Sequence, residues 1–136
     1  MVVVVVIGLL AVLASAAIKR VQERSLASRM ANDFKQVAAA FQNYNLEHGA
    51  WPAATTTAGT VPVGMAGYLP AAFAQGSAIG GGYTWSGSSA RLRLINVTNA
   101  STDRIVTRVD AILDDGNLAT GDFTSMTSGG YHWQLH

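Results

Sequence analysis

The chain opens on a run without a single ionised side chain: in Met1–Ile18 (MVVVVVIGLLAVLASAAI) Ser15 is the only polar residue. As an α-helix rising about 1.5 Å per residue this run reaches about 27 Å, against about 30 Å of hydrocarbon in a bilayer. Consecutive valines disfavour helix in water, but in lipid the backbone must bond to itself and helix is imposed. The pattern predicts a membrane-spanning helix over 1–18. Two other readings compete, a core segment of a soluble protein and a cleavable secretory signal ending near Ala14-Ser15-Ala16. Against the signal stand the lack of basic residues ahead of the apolar run and the continuation of the helix beyond it.

From Lys19 the pattern becomes one-sided. No Gly or Pro interrupts 19–47, and the larger apolar residues are Val21, Leu26, Met30, Phe34, Val37, Phe41 and Tyr44, with Leu46 out of step. From Leu26 onward, steps of three and four keep these side chains on one helix face, and Arg24, Arg29, Asp33 and Lys35 fall off it. His48-Gly49 closes the pattern, glycine being suited to the left-handed residue that ends helices, and Pro52 follows. The expectation is one helix of about 48 residues, about 70 Å long. A small head with a radius of gyration of about 12 Å cannot cover such a rod. Its first half must project and hide in lipid or against copies of itself. Gly8, Ala11, Ala14, Ser15 and Ala17 would let backbones approach closely there, although alanine is common in any membrane helix.

The remainder reads as a small α+β head. Residues 53–66 are a loop by composition, and Gly67-Tyr68-Leu69-Pro70 reads as a turn packing Tyr68 and Leu69 inward. A strand is expected at Tyr83–Ser86, then a turn at Gly87-Ser88-Ser89. Ala90–Val97 alternates Arg91 and Arg93 outward with Leu92 and Leu94 inward, a second strand completing a hairpin. Ser101–Asp114 reads as helix, capped by Ser101 or Thr102, with strand as the alternative because of its Val and Ile content. Gly121–Met126 and Tyr131–Leu135 are expected as a closing strand pair. The predicted fold is α+β: a long N-terminal helix, spanning over 1–18 and amphipathic over 19–49, with its second half packed on a small antiparallel sheet in the head, 50–136.

Composition narrows the chemistry. Only 12% of residues are charged, against about 25% on average, which excludes a disordered charged tail. Nine Lys+Arg against eight Asp+Glu leave +1, too balanced for nucleic acid to be the default partner. With no cysteine there is no disulfide framework, thiolate zinc site or cysteine nucleophile. The histidines, His48, His132 and His136, are scattered. His132 has no Ser or Asp partner placed by sequence, and Gly80-Gly81-Gly82 lacks the Lys-Ser/Thr of a phosphate loop. No catalytic, cofactor-binding or metal-ligating residue is assigned, and the chain is not expected to be an enzyme. Arg91 and Arg93 suit an acidic partner, a solvated strand face being the simpler reading. Asn96-Val97-Thr98 and Asn99-Ala100-Ser101 fit the glycosylation pattern. Asp110, Asp114, Asp115 and Asp122, with Asn117 among them, are dense in the hard oxygen ligands that calcium takes. Their spacing does not match an EF-hand, and a capped helix end with an Asx-turn in the Asp114–Asp122 loop is the simpler reading.

The run Val2–Ile18 with Ile7-Gly8-Leu9-Leu10-Ala11, then Lys19-Arg20 and a long amphipathic helix, resembles the N-terminal region of type IV pilins and type II secretion pseudopilins. Phe41-Gln42-Asn43-Tyr44 followed by Glu47-His48-Gly49-Ala50-Trp51-Pro52 resembles the helix exit common in pseudopilins. The resemblance is specific over about the first 52 residues, a long helix ahead of a small head. It implies a structural subunit that is stored in the bacterial inner membrane, single-pass, with its head in the periplasm or on an extracytoplasmic filament. Its partners would be copies of itself, other pilin-like subunits and the secretion or pilus assembly machinery. Some pseudopilins bind calcium in a C-terminal loop, which adds a little weight to the calcium reading of the Asp114–Asp122 loop; no cofactor is expected. The family's basic leader, Gly cleavage site, processed first residue and following Glu are not recognisable here, so the sequence reads as starting about half a dozen residues late, by pattern against that signal type. Ala16 stands where the family often has a kinking proline. Lys19, Arg20 and Arg24 after the span would by charge alone face the cytoplasm, whereas the resemblance places the head outside. The alternative function is a membrane-anchored monomeric binding or adaptor module with an extracytoplasmic head.

Overall fold

The computed structural model describes residues 2–97 and 102–136. The Asn99-Ala100-Ser101 pattern, Thr98 of the other glycosylation pattern and the Ser101 cap lie outside the described residues. Helix α1 runs from Val2 to His48 without a break, and it ends where the sequence places its stop. Gly49 takes a φ of 68° and its N–H donates to the Asn45 carbonyl at 2.8 Å, closing the last turn with the residue type that bears least strain there. After α1 come α2 (Ala71–Gln75), β1 (Gly82–Trp85), a 3₁₀ turn over Gly87–Ser89, β2 (Arg91–Ile95), α3 (Thr102–Leu113), β3 (Phe123–Ser125) and β4 (Tyr131–Gln134). The ambiguous segment is thus helix, and α2 is an element that five residues with one large apolar side chain do not announce.

The four strands form one antiparallel sheet in the order β1-β2-β4-β3. The two expected strand pairs are joined through β2 and β4, with Leu92 opposite Trp133 and Leu94 opposite Tyr131. Alternation along β2 buries Leu92 and Leu94 and leaves Arg91 exposed and Arg93 half-exposed. Strand β1 is buried at every residue, because the segment after Pro52 runs along its free edge. Thr55 N–H donates to the Trp85 carbonyl at 2.8 Å and Gly59 N–H to that of Tyr83 at 2.9 Å. A loop by composition is therefore an edge cover that keeps β1 from pairing with another chain.

The sheet lies on the stripe of α1. Phe34 meets Tyr83 and Phe123 edge-on, each at 5.3 Å between ring centres, and Phe41 stacks on Trp85 at 4.0 Å. The Trp85 indole N–H donates to the Pro52 carbonyl at 3.1 Å, so the buried ring keeps a partner for its polar edge. Met30, Phe34, Val37 and Phe41 are buried, as are Ala27, Ala31, Ala38 and Ala40. The first buried residue of α1 is Ala27, about two turns after the start of the amphipathic segment in the sequence, Leu26 is half-buried, and Val21 is 63% exposed. Helix α3 packs on α1 through its Ile105, Val106 and Val109 side.

Candidate functional site

Three surfaces present chemistry or unsatisfied contact. The first is the free half of α1. Its large apolar side chains, from Val2 to Val6 and then Ile7, Leu9, Leu10, Val12, Leu13 and Ile18, are between 48% and 76% exposed, and none of this stretch is buried against the head. A helix this long and apolar is a candidate membrane span. Water does not stabilise such a surface, since monomeric soluble proteins rarely expose apolar patches beyond a few hundred Å².

The second is the acidic cluster. Ligand oxygens of Asp110, Asp114 and Asp115 lie within 4.8 Å of one another. Asp110 sits on α3 one turn after Val106, and its side chain is fully buried. Neither of its oxygens has a hydrogen-bond partner. Burial, followed by the nearby charges of Asp115 and Asp114, raises its pKa to about 6. The Gly116 backbone N–H acts against those effects without closing a bond of normal geometry. The neighbouring carboxylates are fixed by the loop. One Asp114 oxygen accepts the N–H groups of Asp122 and Phe123, the latter at 3.1 Å. Asp115 accepts the Asn117 N–H at 2.8 Å, an Asx-turn, and the Thr120 hydroxyl at 2.6 Å, and these bonds hold its pKa below the usual value, the hydroxyl foremost. Gly121 has a φ of 80°, and a Cβ there would run into the Asp114 carboxylate. Of the four aspartates singled out in the sequence, the fold gathers three. Asp122 instead meets His136 at 3.1 Å, and the Asn117 side chain accepts the Ala119 N–H at 3.2 Å.

A buried carboxylate without a donor is costly as a bare ion, and a hard cation between it and two further carboxylates removes that cost. The residues therefore fit calcium, with Asp110, Asp114 and Asp115 supplying three of the about six to eight oxygens it takes. When bound, such an ion would neutralise the cluster and tie the end of α3 to the loop leading into β3. The Asx-turn expected from sequence is present as well. The burial of Asp110 was the missed feature, and its signal was the i+4 step from Val106 along the buried side of α3.

The third is a hollow of about 470 Å³ on the outer face of the sheet, lined by Arg91, Arg93, His132 and the hydroxyls of Ser86, Ser89, Ser125, Thr127 and Ser128, with Met126. The Arg91 Nε–H donates to the Gln134 Oε1 at 2.8 Å. His132 lies 3.1 Å from the Thr124 hydroxyl, and its pKa is lowered by burial and then by Arg91 and Arg93. Its hydrogen bond goes to Thr124, the residue opposite it on β3, and it stands as a strand residue beside two arginines.

The fold and these surfaces define the class: an α+β chain carrying a candidate membrane span ahead of a small head. Comparison with models of protein families, with curated proteins and with solved structures finds no match.

Proposed function

We propose that this chain is a structural subunit of a type IV pilus-like or type II secretion pseudopilus filament. The exposed apolar half of α1 is held in the membrane before assembly and packs against the same half of other copies afterwards. The observation that carries the reading is the continuity of α1: one 47-residue helix has its second half locked into the head by Phe34 and Phe41 and its first half covered by nothing. A rigid joint of this kind transmits force between head and rod. Gly8, Ala11, Ala14 and Ser15, which fall within about a third of the helix circumference, suit close helix contact once lipid is exchanged for protein. No reaction is assigned to this chain; energy for extraction would come from its partners. Within the same reading the head holds a calcium ion at Asp110, Asp114 and Asp115, which stiffens the end of α3.

The chain has no cysteine, so single cysteines placed at Ala11 and Ala14 report on this face without background. In membranes of cells producing the full chain, oxidation of either single-cysteine variant should give disulfide dimers, a chain carrying both cysteines should give ladders beyond the dimer, and sheared material should contain filaments by negative stain. Monomers alone, in both membrane and sheared fractions, would remove the filament reading in favour of a monomeric anchored adaptor.

A further inference from the structure

Where α3 crosses α1 the two helices leave a groove of about 320 Å³ lined by Arg24, Ala27, Ser28, Arg108, Ala111 and Ile112. Two of the six lining residues are arginines and none carries a carboxylate. Among the described residues neither Arg24 nor Arg108 has a hydrogen bond or ion pair. The acids nearest in sequence are committed elsewhere. Glu23 meets Arg104 at 3.6 Å, Asp103 accepts the Tyr131 hydroxyl at 2.8 Å, and Asp110 is buried on another side of α3. Two unpaired cations on one groove favour an anion there over a cation. The rest of the lining is mainly apolar, and Ile112 is 45% exposed. Cationic sides around an apolar floor match an amphiphile better than a free ion.

The groove's place along α1 names the amphiphile. Arg24 lies six residues after Ile18, about 9 Å along the helix axis. Side chains on a helix lean toward its N-terminus, which here is toward the span, and the headgroup layer adds about 5–7 Å beyond the hydrocarbon on each side. Lys19 and Arg20 stand between the two and can extend their charges to the same layer. With Arg104 and Arg108, five of the nine Lys and Arg residues gather at this end of the head.

On the reading of α1 as a membrane span, we propose that the groove between Arg24 and Arg108 binds the headgroup of an anionic phospholipid, docking the base of the head on the membrane surface. The basic residues after the span then act as a lipid-binding collar on whichever side the head lies.

The test uses the full chain in phosphatidylcholine vesicles containing either phosphatidylglycerol or phosphatidylcholine with a photoactivatable headgroup, divalent ions being chelated so that the aspartates cannot bridge to lipid. Cross-links are mapped by mass spectrometry. The glycerol-headgroup probe should label the Arg24–Ser28 and Arg108–Ile112 segments in preference to the choline probe. Each arginine removed in Arg24→Gln and Arg108→Gln should lower that labelling about fivefold, from about 1 kcal/mol per basic residue at an anionic surface. The Arg24→Lys/Arg108→Lys pair should keep most of it, which separates charge from folding. Labelling that misses these segments, or that survives both glutamine changes in a chain resisting alkaline extraction, overturns the groove and leaves the span standing. A chain that alkali extracts overturns the span and the proposal with it. Labelling abolished by inorganic phosphate at the concentration of the lipid headgroup assigns the site to free phosphate and overturns the lipid.

Discussion

Replacing Asp110 by asparagine should stabilise the calcium-free head at neutral pH, an unusual direction for a change at a fully buried polar position. Asparagine keeps the shape and the unmet hydrogen-bonding demand of a protonated carboxyl, so the change isolates the charge. The Asp110 pKa rises from 3.8 to about 6 on folding, and at about 1.4 kcal/mol for each tenfold this is about 3 kcal/mol, a ceiling on the gain. Because the folded protein holds this proton more tightly than the unfolded one, calcium-free wild type is most stable below pH 3.8 as far as this group is concerned. It loses that stability as the pH rises to about 6 and is level above it. Asp114 and Asp115 are the charges facing the group, and loss of either should lower the penalty in the same direction. If the cluster holds calcium as proposed, the ion should bring the two proteins close to level. At about one hundred times its dissociation constant a bound ion adds about 2.7 kcal/mol to wild type and much less to Asp110→Asn. The assay is thermal unfolding of the full chain in detergent micelles, with chelator and with millimolar calcium, followed by tryptophan fluorescence. A change of 1 kcal/mol moves the midpoint by about 4–8 °C in a domain of this size. Equal midpoints for the two proteins in chelator, together with no calcium shift in wild type, would refute both the strain at Asp110 and the ion.

Two core changes should move stability in opposite directions. Phe34→Ala removes a ring that is fully buried and meets Tyr83, Phe123 and Trp133; a loss of about 3–5 kcal/mol is expected by denaturant titration, and a loss under 1 kcal/mol would mean that α1 and the sheet are not packed as described. Tyr83→Phe removes a buried hydroxyl that has no partner and whose pKa burial pushes up; a neutral result or a gain of about 1 kcal/mol is expected, whereas a clear loss would point to a bonded hydroxyl.

Much of this architecture is legible in the residues, and the parts that are not share a cause. The stop at Gly49 and the alternation at Leu92 and Leu94 are local signals, readable from a few neighbours, and they match the observed ends and faces. The buried alanines of α1, Ala27, Ala31, Ala38 and Ala40, carry little contrast against a polar background, so the breadth of its buried face was not visible. The pairing of β2 with β4 joins residues about forty apart, which no local pattern encodes. The same holds for the edge cover at Thr55–Gly59, whose composition says loop while its hydrogen bonds to Trp85 and Tyr83 depend on the sheet. At the site, the density of aspartates was plain, but which of them converge depends on the turn at Gly121 and on α3 docking with Asp110 inward. Arg24 and Arg108 lie far apart in the chain, and only the packing of α3 on α1 brings them to one groove.

The most direct measurement is the water accessibility of single cysteines along α1, in a chain that has none of its own. In vesicles, Leu10→Cys should be shielded from a membrane-impermeant maleimide added to both sides, while Gln42→Cys, on the exposed side of the head half, reacts at the rate of a free thiol. Leu10→Cys reacting as fast as Gln42→Cys would contradict an apolar rod hidden in bilayer or among its copies.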